Sequence, residues 1–113
     1  MKIWGIAASA AALIVATGAA AQVRTHIWSK GAVRNHSTDV CRERAKSVAL
    51  TLGMASGGDT LSSWLVTPGS ETTTVIRCDL PQWVLIITAG PNAATVKAQN
   101  EQIVVLYNKI GGN

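Results

Sequence analysis

Residues 72–89, TTTVIRCDLPQWVLIITA, decide the fold of this chain. The runs TTTVI and WVLII are rich in Thr, Val and Ile, whose branched side chains restrict χ1 and suit the pleated surface of a β-strand. Pro81 lies between the runs and cannot donate a hydrogen bond to a ladder, so we expect a turn at residues 79–82. The stretch therefore predicts an antiparallel hairpin that carries Cys78.

The first 21 residues have the three parts of a secretory signal peptide. Lys2 supplies the positive charge, residues 3–17 form a short apolar region, and residues 19–21 are the three alanines that a signal peptidase requires. We expect cleavage after Ala21. A retained membrane anchor is the alternative, because roughly 20 apolar residues span a bilayer. Ala and Gly predominate over Leu and Ile, which favours cleavage. The sequence thus predicts a periplasmic or secreted protein without a stable membrane anchor.

Residues 22–113 are expected to form a single small domain. The whole chain has a formal net charge of +4, and its basic residues are scattered. Arg42, Arg44 and Lys46 lie within a turn and a half of a predicted helix, together with Glu43. No aromatic residues for base stacking are interleaved with them, so a solvated helix face explains the cluster better than a nucleic-acid site. We expect no nucleic-acid partner.

Cys41 and Cys78 are the two cysteines of the chain. In a small exported protein such a pair predicts one structural disulfide. A redox-active or metal-binding pair is the weaker alternative, because the chain has no Cys-x-x-Cys motif. The chain-entropy model gives about 4 kcal/mol for a loop of this length, against roughly 5–10 kcal/mol for the stability of such a domain. The bond is therefore expected to supply a large part of the stability of the domain, enough that it could decide whether the domain folds.

The patterns predict an α+β fold in the order β-α-β-β-β-α. The predicted elements are residues 23–30, 39–55, 62–67, 72–76, 83–87 and 93–110. Residues 31–35 are expected to form a loop, and residues 68–71 a type II turn. An antiparallel sheet with both helices on one face, joined by the disulfide, makes a two-layer sandwich.

Both predicted helices have one apolar stripe and recognisable ends. The first is expected to be capped by Ser37 or Thr38 and ended by Gly57 and Gly58. The second is expected to be capped by Asn92. The stripes have helical spacing and comprise Cys41, Ala45, Val48, Ala49 and Leu52 in the first helix, and Val96, Ile103, Tyr107 and Ile110 in the second.

Hairpin register predicts which residues occupy the sheet face away from the helices. A four-residue loop at 79–82 pairs Cys78 with Trp83, and a four-residue loop at 68–71 places Trp64 opposite Val75. The resulting candidate interface is Trp64, Val66, Val75, Arg77, Val84 and Ile86. A loop one residue longer or shorter moves a whole strand to the other face, and the N-terminal segment could also cover this one. Apolar surfaces of this kind mark partner or ligand sites, and a homodimer is the simplest use.

The titratable residues do not form a recognisable catalytic set. The sequence HSTD at residues 36–39 places triad residue types in a row, but neighbours at a helix start rarely converge, and capping explains them better. His26, His36 and Asp39 could bind Zn²⁺ or Cu²⁺ only if the fold brought them together. We therefore predict neither a catalytic residue nor a metal or other cofactor.

The leading hypothesis is an exported, non-enzymatic binding module for an unknown protein or small ligand. One alternative is an inhibitor of a secreted or envelope hydrolase that uses the loop at residues 68–71. Another is a small metal-dependent enzyme that uses His26 and His36. A dimer, or a ligand bound at Trp64, would favour the first hypothesis, whereas a monomer with a polar outer sheet would favour inhibition.

Overall fold

The computed structural model describes residues 25–34 and 36–111. The predicted signal peptide at residues 1–21 lies outside the described residues. Seven elements follow one another along the described chain. They are His26–Val33 (β1), Thr38–Leu52 (α1), Ala55–Gly58 (β2), Ser62–Val66 (β3), Thr73–Arg77 (β4), Trp83–Gly90 (β5) and Ala93–Ile110 (α2).

The described strands form a five-stranded antiparallel sheet in the order β1-β5-β4-β3-β2. Successive strands from β2 to β5 are neighbours, as short connections favour. β1 joins the far edge and pairs with β5 over its full length, from His26 opposite Gly90 to Val33 opposite Trp83. The loop predicted from residue 31 is therefore wrong: the strand continues to Val33, because β5 supplies a ladder partner for every one of its residues.

Helix α1 begins at the predicted cap and ends earlier than expected. Ser37 Oγ accepts a hydrogen bond from the Val40 N–H at 3.2 Å. Gly53 ends the helix in the left-handed conformation with φ of 68°, which glycine adopts without steric cost. The predicted end at Gly57 and Gly58 is wrong, because Gly53 stops the helix first and leaves those residues free to form β2.

Helix α2 begins at Asn92, as predicted, where the Oδ1 atom accepts a hydrogen bond from the Thr95 N–H at 3.0 Å. Val96, Ile103 and Tyr107 of the predicted stripe are buried. Ile110 is exposed, so its assignment to the stripe is wrong. Ile110 is the last residue of α2.

Asn100 is fully buried at a helix position where the sequence predicts no core residue. Its Nδ2 group lies within 3.1 Å of the Trp28 and Ile86 carbonyl oxygens and of Thr88 Oγ1. Thr88 Oγ1 in turn lies 2.7 Å from Thr74 Oγ1 on the neighbouring strand. Because buried polar groups are costly unless paired, these Nδ2 hydrogen bonds hold α2 on β1 and β5. Asn100 Oδ1 is also buried and has no hydrogen-bond partner among the described residues.

Both helices pack on the same face of the sheet and enclose the core. On that face α1 packs against β2 and β3, α2 packs against β1 and β5, and the helices contact each other. The core comprises Cys41, Ala45, Val48, Ala49, Met54, Leu65, Ile76, Cys78, Val84, Ile86, Val96, Ile103 and Tyr107. The predicted α+β class, with two helices and an antiparallel sheet, is confirmed; β2 is an additional short strand.

Candidate functional site

The sheet has a second face, opposite the helices, which we call the open face. Along β4 and β5 buried residues alternate with partly exposed ones, so that Ile76 and Ile86 face the helices while Val75 and Ile87 face outward. The apolar side chains of the open face are Ile27, Val33, Ala55, Trp64, Val66, Val75, Trp83, Leu85, Ile87 and Ala89. An antiparallel sheet packed on helices normally presents polar residues here. This face therefore departs from the usual pattern.

Half-buried aliphatic side chains occupy the middle of the open face, and more exposed apolar side chains lie toward its borders. Val75 and Ile87 are opposite each other on β4 and β5 and are half-buried. Trp64 is 41% exposed and Trp83 53% exposed, while Val33 at the end of β1 is 76% exposed. Contiguous apolar surface of this kind is characteristic of an interaction site.

Four of the six predicted interface residues lie on the open face. Val66 is opposite Thr73 and Trp64 opposite Val75, as predicted, and Arg77 is on the same face. The prediction was wrong for Val84 and Ile86, which point toward the helices and are 1% and 2% exposed. Leu85 and Ile87 occupy the open face in their place.

The error comes from the register of the β4–β5 hairpin, which differs by one residue from the predicted one. Arg77 pairs with Leu85, whereas a four-residue loop required Cys78 opposite Trp83. The connecting segment is held by groups outside the hairpin. Arg34 Nη1 and Thr38 Oγ1 donate to the Cys78 carbonyl oxygen at 2.7 and 3.0 Å, and the Arg34 N–H donates to Gln82 O at 2.8 Å.

Sequence reasoning missed several residues of the open face and placed Trp83, Leu85 and Ile87 on the helix side. The missed residues are Ile27, Val33, Ala55, Trp83, Leu85, Ile87 and Ala89. Alternation along β1 separates Ile27 from His26 and Trp28, and it would have identified Ile27 had the strand been placed beside β5. The run WVLII in β5 is apolar at every position, so it has no period-two signal to separate its two faces.

The charge on the open face is already paired. Arg77 donates from Nε and Nη2 to the two carboxylate oxygens of Asp79, at 2.9 and 2.5 Å. These hydrogen bonds lower the pKa of Asp79 and raise the pKa of Arg77. Among the described strand residues that face outward, Arg77 is the charged one. The open face is therefore close to electrically neutral.

The Trp64 indole lies over Gly57 of the edge strand β2. The two residues are opposite each other in the ladder, and a Cβ atom built on Gly57 would overlap the indole ring. Covering an edge glycine with a cross-strand aromatic residue stabilises such a strand. Gly57 thus allows Trp64 to lie across the sheet and extend the apolar surface to its edge.

The disulfide links Cys41 of α1 to Cys78, directly after β4, with a Cα–Cα distance of 5.8 Å. Both residues are fully buried. The predicted pairing is confirmed. The bond lies on the helix side of the sheet, where it holds α1 against the strands and leaves the open face uncovered.

The two histidines are placed in different environments. His36 Nε2 lies 3.2 Å from Tyr107 Oη, and this contact joins the start of α1 to the last turns of α2. Burial raises the pKa of Tyr107 to about 12, so the phenol keeps its proton to a more alkaline pH than a free tyrosine does. His26 begins β1. Within residues 25–34 and 36–111, no three His, Cys, Asp or Glu side chains form a group able to hold a metal ion, and the hypothesised set of His26, His36 and Asp39 is not assembled.

Two surface depressions lie on the helix side. One, of about 200 Å³, is bordered by Arg42, Glu43 and Lys46 of α1 and by the β2–β3 hairpin, and it carries charges of both signs. The other, of about 450 Å³, is a shallow apolar groove between α1 and α2 beside Leu52 and Val105. Neither contains a histidine or cysteine, so neither contains the residue types of the hypothesised enzyme.

Comparison of the chain with protein-family models, curated proteins and solved structures finds no match. Of the helices in the described ranges, none is both long and apolar enough to cross a membrane.

Proposed function

We propose that this protein is an exported, non-enzymatic interaction module whose binding surface is the open face. The open face is apolar and nearly neutral, and no described helix, strand or loop covers it. This observation carries the proposal. Such surface is costly to leave in water, and its burial against a partner contributes roughly 25 cal/mol per Å². A face that served only to complete the fold would be polar.

The proposed location is the periplasm or the exterior of the cell, with residues 1–21 as the cleaved export signal. The buried Cys41–Cys78 disulfide supports this location, because such bonds persist in oxidising compartments. Expression of residues 1–113 in a bacterial host tests it directly. The protein recovered from the export compartment is expected to begin at Gln22 by intact mass and to have no free thiol. A cytoplasmic protein with residue 1 retained would contradict the proposed location.

Position-specific photocrosslinking in the exporting cell tests the binding surface. A photoactivatable amino acid at Trp83 or Ile27 reports on the open face, and one at Val105 or Leu50 reports on exposed apolar positions of the helices. We expect protein adducts, including adducts with the chain itself, from Trp83 and Ile27 and none from the helix positions. Equal adducts from both sets, or adducts from the helices alone, would contradict the proposal.

The inhibitor hypothesis depends on a rigid loop at residues 68–71. Gly69 has φ of 84°, and the Ser70 N–H donates to Thr67 O at 2.9 Å, as in a type II turn. However, this turn projects Pro68, Gly69 and Ser70, which offer little side-chain area to an enzyme cleft. We therefore favour the open face over this loop as the binding surface.

A further inference from the structure

We propose that the partner on the open face is a second copy of this chain, packed face to face about a two-fold axis to form a four-layer helix–sheet–sheet–helix dimer. This inference rests on the proposed function, because it names the partner of the same surface.

The charge distribution favours a second copy. Within the described residues, Arg77 is the charged side chain of the open-face strands, and its pairing with Asp79 at 2.5–2.9 Å leaves this face no net charge with which to attract an acidic or basic partner. The complementary surface must itself be neutral and apolar, and another open face is such a surface. In a two-fold dimer the basic residues of α1 and α2 remain on the two outer layers. Without Lys2 the exported chain has nine basic and six acidic residues, and its net charge of +3 opposes association only weakly, because those charges are far apart and screened.

The dimensions of the sheet also favour a second copy. The five strands have 8, 4, 5, 5 and 8 residues in chain order, so at about 4.8 Å spacing and an average length of roughly 20 Å they present about 500 Å² of surface per copy. Two copies would bury about 1,000 Å² in total, which meets the minimum area of a biological interface and corresponds to a weak, reversible dimer. Sheets in sandwiches pack about 10 Å apart through interdigitating side chains. Val75, Leu85 and Ile87 provide the aliphatic side chains for such an inner layer, flanked by Trp64 and Trp83.

The test is the solution mass of the disulfide-bonded protein recovered after export, at about 100 μM, well above a micromolar Kd. We expect twice the chain mass for the natural sequence and a folded protein of single-chain mass for Val75→Asp. Val105→Asp is the matched control, since Val105 is exposed on α2 away from the open face, and it should remain dimeric. If Val75→Asp does not fold, Trp83→Asp replaces it, because Trp83 is already half exposed.

A natural protein of single-chain mass would overturn the second-copy proposal, and so would a dimer that only Val105→Asp dissociates. These results leave the proposed function to be decided separately by the photocrosslinks. Adducts from position 83 with a different protein would support the interaction module and would contradict a second copy as its partner. The absence of any adduct from a monomeric chain would overturn both proposals.

Discussion

The indole of Trp64 lies across the β2–β3 ladder on Gly57, so a glycine of the edge strand faces one of the largest residues of the sheet. The contact connects a local sequence feature, a glycine pair after a helix, to the apolar open face. It also makes Gly57 sensitive to any added side-chain atom. Gly57 is not among the glycines with positive φ, so the sensitivity arises from the indole and not from the backbone.

Gly57→Ala should lower the free energy of unfolding by about 1–3 kcal/mol, the usual cost of overpacking a close contact. Urea denaturation measures this cost. The same substitution in a Trp64→Ala background is the control, because removing the indole removes the overlap. A cost that remains unchanged without the indole would show that the contact with Trp64 is not its cause.

Replacing both cysteines, Cys41→Ala with Cys78→Ala, should reduce the free energy of unfolding by about 2–4 kcal/mol, because the unfolded chain regains the entropy of an open loop. Thermal and urea unfolding in oxidising buffer measure the loss. A reducing agent should destabilise the natural protein similarly and leave the double variant unaffected. An unchanged melting temperature would show that the disulfide does not hold α1 to the sheet.

Asn100→Asp should make stability depend on pH. A carboxyl at this fully buried position would face the Trp28 and Ile86 carbonyl oxygens, and both desolvation and these acceptors favour its protonated form. Its folded-state pKa would exceed the unfolded value of about 3.9, so stability is greatest below that pH and falls as the pH rises through the folded pKa.

The measurement is the urea midpoint of Asn100→Asp relative to the natural protein at pH 4 and pH 7. Asn100→Leu is the matched control: it also loses the amide hydrogen bonds but has no titrating group, so its deficit should be similar at both pH values. A deficit of the Asp variant that does not grow between pH 4 and pH 7 would contradict the buried placement of residue 100.

Deprotonation of the Tyr107 phenol should destabilise the fold at alkaline pH. Burial raises its pKa to about 12, against 10 for the free side chain, so the folded state holds the proton more tightly than the unfolded state. The resulting contribution to stability is complete below pH 10 and is lost as the pH rises toward 12. Tyr107→Phe lacks this titration. The difference in urea midpoint between the natural protein and Tyr107→Phe should therefore change between pH 9.5 and pH 11.5. A difference that stays constant over this range would contradict the raised pKa of Tyr107.

The sequence by itself determined the features that depend on neighbouring residues. β-branched runs and Pro81 specify the hairpin, the two helix starts are marked by Ser37 or Thr38 and by Asn92, and a pair of cysteines allows a single pairing. Each feature rests on interactions within a few residues or on a count that has one solution. The α+β class follows from them, since two apolar helix stripes require a sheet to cover.

Only the tertiary structure decided which residues face outward. Every residue of WVLII is apolar, at the odd-numbered and the even-numbered positions alike. The pattern of this strand therefore could not reveal which of its residues face the helices. The register is decided by bonds from distant groups: Arg34 and Thr38 to the Cys78 carbonyl, and Asn100 and Thr74 to Thr88. A shift of one residue exchanges Val84 and Ile86 for Leu85 and Ile87 on the open face. Such bonds exist only once strands and helices have met, so the composition of the proposed binding surface depends on the assembled fold.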